Sequence, residues 1–413
     1  MVAIMNIDKC KQIDSCIACG SSNILEVLDL KTQPLANSFK NSKSEQQEEY
    51  PLKLNKCQDC HHLQLSHMVH PDELFKNYLY VSGTSKTQLN YFEWFAKMVS
   101  DKIANKQGNI LDIGCNDGSQ LNYFKSLGFK TYGIDPAENL HKISSQNHNV
   151  ICDYFNTTNT HDGVEYDAII CQNAFAHNFN QLEFLKKCKT ILNDNGLILI
   201  TISQADMVKN NEFDTIYHEH YSYYNVNSMK TICERAGLHL TDVIQHPIHG
   251  NSYIFVISKN GSEQSLFKIN KLIEDEKNIG LYDAKKYTEY SKNANSIAIQ
   301  FKEKLQELKQ EGYILIGYGS PAKGNTMLNF SKGILDFIID DNPLKQNLFT
   351  PGSSIQIHSI DHLDTVKDNN KICFVPLAWN FFDEIKNKIS NKRPKKTDLY
   401  LKYFPKVNVI KSI

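Results

Sequence analysis

Apolar residues recur along this chain in two alternating rhythms. Short apolar runs bounded by glycine or Asn/Asp turns predict strands at 110–113, 130–135, 166–171, 196–202, 238–243 and 252–258. Between them lie stretches with helical spacing: 88–103, a helix opening at Gln120, 181–192, and 227–236 closed by Gly237. Strands alternating with helices predict a doubly wound α/β sheet, the run at 166–171 being its third strand. Residues 262–311 carry apolar positions at helical intervals (Phe267, Leu272, Ile273, then Phe301, Leu305, Leu308), which predicts two helices. Strand runs then restart at 313–316, 335–339 and 371–375, a second α/β domain. The expected division is a small domain at 1–70, a sheet domain at 71–260, a helical connection at 261–311 and a C-terminal α/β domain at 312–413.

Composition narrows the class. A chain of 413 residues with 41% hydrophobic and 22% charged residues reads as a soluble globular protein of two or three domains. A net charge of −1 gives no long-range field for a polyanion, and the basic runs 332–345 and 392–396 are modest, so no nucleic-acid partner is expected. No apolar run reaches membrane-spanning length, and the N-terminus lacks a signal-peptide core, so no membrane partner is expected either. Eleven cysteines fit a reducing compartment, read as the cytoplasm. A monomer is the preferred state.

Four of those cysteines form two knuckles, Cys16-x-x-Cys19 and Cys57-x-x-Cys60. Four thiolates suit a tetrahedral zinc with no open position, a structural site. A redox dithiol and incidental cysteines are the competing readings.

The run 109–119, NILDIGCNDGS, passes from strand through a glycine turn into a helix. Glycines let a ligand approach backbone N–H groups where a Cβ would block it. The pattern has neither G-x-G-x-x-G nor a Walker lysine, which argues against a pyrophosphate cradle. Asp135 ends the next strand, where an acid is placed to accept ribose hydroxyls. Together these resemble the S-adenosylmethionine (SAM) fold of class I methyltransferases. The expected cofactor residues are Asp112, Gly114, Asn116, Asp117, Gly118, Asp135 and Asn173.

Other candidates are dense in acid–base groups. His177 lies just past a strand's C-terminal end, the ligand side of an open sheet. Tyr217-His218-Glu219-His220 places a carboxylate beside an imidazole, which can fix its tautomer and raise its basicity; metal binding and a polar surface turn are the alternatives. The stretch 77–85 reads as a lid bearing Tyr78 and Tyr80, or as a loop with exposed tyrosines. Residues 245–251 read as a substrate loop. In the C-terminal domain GYGSPAKGNT (317–326) puts Lys323 in a glycine loop at a helix start, which suggests a diphosphate ligand; a domain that only packs is the alternative.

The order of parts, with FDTIYHEH (213–220), GYGSPAKGNTMLNF (317–330), FIIDDNPLKQ (337–346), TPG (350–352) and LAWNF (377–381), resembles the nucleotide-sugar C-methyltransferase family over about 14–405. The resemblance implies three parts: an N-terminal zinc-binding domain, a class I SAM domain and a C-terminal Rossmann-like domain. The implied reaction is methylation at C3 of a 4-keto-deoxysugar carried on a nucleoside diphosphate. It implies His220 as general base held by Glu219, with Tyr217, His177 and Tyr80 as further active-site groups. The expected substrate-binding residues are Gly319, Lys323, Asn325, Asp341 and Asn342. Members often show His-Gly-Gly-Ser with an arginine two residues on; here Asn251 and Ile254 depart from that pattern. The competing classes are a zinc-containing RNA methyltransferase and a non-catalytic nucleotide-sugar binder.

Overall fold

A computed structural model describes residues 9–75, 81–203 and 206–411. The chain divides into two compact units. One comprises the described residues of 1–25, 55–206 and 219–282; the other comprises those of 26–54, 207–218 and 283–413.

The first unit is built on a seven-stranded sheet. Its spatial order is His239–His246, Ser252–Ser258, Leu192–Ile202, Tyr166–Gln172, Asn109–Ile113, Lys130–Ile134 and Asn149–Ile151. Ser252–Ser258 alone runs against its neighbours, because a short loop returns it beside His239–His246. The strands read as continuous apolar runs because both faces are covered. Leu111, Ile113, Ile169, Ile198 and Ile200 pack on one side, and Ile110, Ala168, Ile170 and Leu199 on the other. That is the two-residue alternation of a pleated strand. Tyr166–Gln172 is the fourth strand in chain order rather than the third. The missed strand, Asn149–Ile151, has only three residues, none of them fully buried, so it shows no apolar run.

The second unit holds a six-stranded sheet, in the order Ile357–His358, Phe337–Ile339, Ile314–Tyr318, Ile372–Pro376, Leu399–Lys402 and Asn408–Lys411. All but the last are parallel. The two helices expected over 262–311 are Glu263–Asn278 and Ala284–Gln310. No helix among the described residues is long and apolar enough to cross a membrane.

In each sheet the strand order reverses about one crevice. In the first unit it opens beyond the carboxyl ends of Asn109–Ile113 and Tyr166–Gln172, and in the second beyond Ile314–Tyr318 and Ile372–Pro376. Open α/β sheets bind ligands at such switch points.

Candidate active site

Residues 114–116 of the glycine loop form the floor of the first crevice, while Asp117 and Gly118, expected to touch the cofactor, do not line it. Gly114 and Gly118 both have φ near +80°, and a Cβ on Gly114 would lie 2.6 Å from that of Ala174. Asp135, at the end of Lys130–Ile134, accepts N–H bonds from Asn116 (2.8 Å) and Ala137 (2.9 Å), so it fixes the loop's shape. Above the floor is a cavity of about 390 Å³, within the roughly 300–1,000 Å³ of small-molecule sites. Asp112, Gly114, Asn116, Asp135, Asn173 and His177 all line it. Asn173 Oδ1, Gln172 Oε1 and Gln88 Oε1 are buried there without a hydrogen-bond partner among the described residues, three acceptors at the wall of one cavity. Unmet acceptors and a floor that tolerates no Cβ fit a cation-bearing nucleoside such as SAM. Asp153 to Thr157 also line the cavity and were missed in the sequence, because they follow the short strand that was itself missed.

Asn116 and Asp117 also serve the chain itself. Their side chains accept the N–H groups of Ser82 (2.9 Å) and Gly83 (3.0 Å), pinning the C-terminal part of the stretch expected as a lid. Tyr78 and Tyr80 lie outside the described residues. A Cβ on Gly83 would meet Asp117 Oδ2 at 2.6 Å. Gly83→Ala should therefore loosen the latch and weaken SAM binding several-fold; calorimetric titration showing wild-type affinity would contradict this.

Burial, then the charges of Asp135 and Asp117, push the Asp112 carboxyl up to about 8. Between about pH 4 and 8 the fold keeps a proton that the unfolded chain releases, so stability is lost as pH rises through this window. Asp112→Asn mimics the protonated acid and removes the titration. Its urea midpoint should match the wild type at about pH 4 and exceed it increasingly as pH rises, by the equivalent of several kcal/mol at pH 8. A constant difference across that range would rule this out.

His177 follows Tyr166–Gln172 in a short 3-10 turn, Phe175–His177. Burial depresses its pKa to about 4, so the ring is neutral. The His220 ring lies 5.0 Å from it, centroid to centroid, inclined by 35°. Tyr221 N–H bonds to Ala176 O at 2.9 Å, which ties the two segments together. His220 and Glu219 are only 4% and 3% exposed. The sequence is consequently not a surface turn, and His220 stands one ring behind the cavity wall. Tyr217 and His218 fall in the second unit, where His218 Nε2 meets Tyr50 O at 3.2 Å.

His249 also lines the cavity, in a left-handed conformation. The departures beside it are accommodated. Asn251 Nδ2 and Tyr253 OH donate to the two oxygens of Asp206 (2.5 and 3.2 Å), and Ile254 is fully buried in the core.

The four cysteine sulfurs lie within 4.8 Å of one another, with Cys16–Cys60 and Cys19–Cys57 each at 3.5 Å. Tetrahedral zinc with bonds of about 2.3 Å needs sulfurs about 3.8 Å apart, so the thiols fit it. All four ligand positions would be filled, which makes the zinc structural.

In the second unit Lys323 starts helix Ala322–Ser331 at the switch point. Its Nζ is buried without a hydrogen-bond partner among the described residues, 5.3 Å from the centre of the Trp379 ring. Trp379 Nε1 donates to Asp214 Oδ2 (2.8 Å), whose pKa burial lifts to about 6 against the pull of Lys323. Gly319 holds φ +79° beside Ala378. Asn325 is fully buried and bonds Ala36 O and Ser320 Oγ, so it shapes the loop instead of facing the crevice. Asp341 is ion-paired to Lys388 and bonded by Tyr318 OH, while Asn342 Oδ1 accepts Leu344 N–H. Asp340, not singled out in the sequence, occupies the place that Asp135 has in the first unit. Gly114 N and Gly319 N each bond the last carbonyl of the second strand. The following acid accepts an N–H from the glycine loop and another from two residues on.

Three family models match the chain: "Putative zinc binding domain" over 16–75, "Methyltransferase domain" over 85–243 and "C-methyltransferase C-terminal domain" over 247–402. The chain is 26% identical to C-methyltransferase NovU of Streptomyces niveus, across 92% of both proteins. It is 25% identical to a tRNA U34 carboxymethyltransferase of Campylobacter jejuni, over 38% of this chain and 56% of that protein. A solved SAM-dependent methyltransferase from Clostridium acetobutylicum aligns with 43% of the chain and 94% of its own, at 13% identity and a TM-score of 0.35.

Proposed function

Since the chain is a SAM-dependent C-methyltransferase with a structural zinc site, we propose that its acceptor is C3 of a 4-keto-deoxysugar on a nucleoside diphosphate. We assign His220 as the base. The observation that carries this reading is the buried His220 ring lying 5.0 Å behind that of His177, which lines the cavity. Carbon is a poor nucleophile unless a neighbouring carbonyl acidifies its C–H bond, so a C-methyltransferase needs a base and an oxyanion donor together. The His220 imidazole takes the C3 proton, with Glu219 beside it in the chain to steady the imidazolium. His177, held neutral by burial, offers an N–H to the developing enolate oxygen. Tyr217 and Tyr80 are the further donors in this scheme. Asp112, Gly114, Asn116, Asp135 and Asn173 hold SAM, which supplies an electrophilic methyl group. The Lys323 ammonium and the loop at Gly319 hold the diphosphate.

The test is direct. Incubation with SAM and a panel of nucleoside-diphosphate 4-keto-deoxysugars should give methylation at carbon, located by mass spectrometry and NMR. Methylation of a tRNA transcript with all nucleotide sugars inert would replace this reading by the RNA one. The similarity to a C-methyltransferase over 92% of the chain, against 38% for the tRNA enzyme, favours the C-methyltransferase reading over the RNA one.

A further inference from the structure

Both cysteine knuckles connect by buried side chains to the segment bearing His220. Gln64, fully buried, accepts Ile17 N–H (2.8 Å) and donates to Ser15 O (3.0 Å), gripping the chain on either side of Cys16. His62, also fully buried, follows Cys60; its carbonyl accepts Cys57 N–H at 2.8 Å. Its Nε2 meets Ser222 Oγ at 3.1 Å, and its ring lies 4.4 Å from that of Tyr224. Strand Leu63–Leu65 pairs antiparallel with Ser222–Tyr223, placing Gln64 opposite Ser222, and Leu65 N–H bonds Tyr221 O (3.0 Å). Ser222 is two residues from His220. From the other side Ala176 O accepts Tyr221 N–H, one residue before His177. The His220 backbone is thus held between the cysteine centre and the His177 turn. Water cannot reach the buried His62–Ser222 pair to substitute for a lost bond.

We infer that His62 and Gln64 are positioning residues that carry the order of the zinc centre to the His220 imidazole. Zinc then sets the geometry of proton transfer as well as the stability of its own domain. The kinetic part of this inference rests on the assignment of His220 as the base; the structural part does not. Displacement of a catalytic group by about 1 Å can cost a hundredfold in rate.

The experiment compares His62→Phe, which keeps a ring and loses the bond to Ser222, with His62→Gln, whose amide can replace Nε2. His62→Phe should keep its zinc and its SAM affinity. It should lower kcat and C3 deuterium exchange by about ten- to a hundredfold with KM little changed, and speed amide exchange at 219–224. His62→Gln should recover most of each loss. Chelating zinc from the wild type should speed amide exchange at 219–224. If His62→Phe does not fold, Ser222→Ala, which removes one oxygen, carries the same expectation. Wild-type kcat with wild-type protection at 219–224 would overturn the inference, as would joint loss of zinc and SAM binding. If His220→Asn is active the base assignment falls, and amide exchange alone decides the coupling.

Discussion

His220→Asn is expected to lower turnover by roughly 10²–10⁴-fold, the range supplied by a positioned general base. Asparagine is smaller than histidine but keeps hydrogen-bonding capacity, so the buried site stays polar and loses only part of the ring's packing. It cannot accept a proton near neutral pH. Two readouts separate chemistry from structure. SAM affinity should stay within a factor of two, because the cavity lined by Gly114, Asp135 and Asn173 does not include position 220. Deuterium exchange at C3 of the sugar, measured with the demethylated cofactor so that no transfer occurs, should fall as far as turnover does. Exchange at the wild-type rate would remove His220 from the role of base.

Lys323→Met should weaken binding of the nucleoside diphosphate by about ten- to a hundredfold, the worth of a charged hydrogen bond of roughly 1.5–3 kcal/mol. Methionine preserves the length and apolar stem and removes the charge. Among the described residues that ammonium has the Trp379 ring and the electrostatic pull of Asp214, and no hydrogen-bond acceptor for its buried Nζ. Such a cation is costly to bury unless an anion completes it. Titration calorimetry with the free nucleoside diphosphate reads the effect without turnover. Unchanged affinity would place the diphosphate elsewhere. Retained SAM binding would confirm that only the second site was touched.

Much of this was legible along the chain. Runs such as Ile110–Leu111 and Leu197–Ile200 marked strands because both faces of a central strand are buried, so the signal does not depend on neighbours. The cysteine knuckles were legible because a tetrahedral thiolate site uses local turns, and spacing alone records them. Asn149–Ile151 and the cavity residues after it were not. A three-residue edge strand owes its conformation to pairing with Lys130–Ile134, and nothing in its own composition records that pairing.

The sequence by itself determined the alternating architecture, the four-cysteine centre, the glycine loop with Asp135, and the presence of an acid–base segment at 217–220. These depend on local backbone geometry or on short spacings. Only the tertiary structure decided that His220 is buried beside His177, that Asp340 rather than Asp341 repeats the role of Asp135, and that Asn325 faces inward. It alone decided, too, that His62 reaches Ser222. Each of these rests on contact between residues far apart in the chain or on which face of a turn is covered, and close packing settles such matters only once the whole unit has assembled.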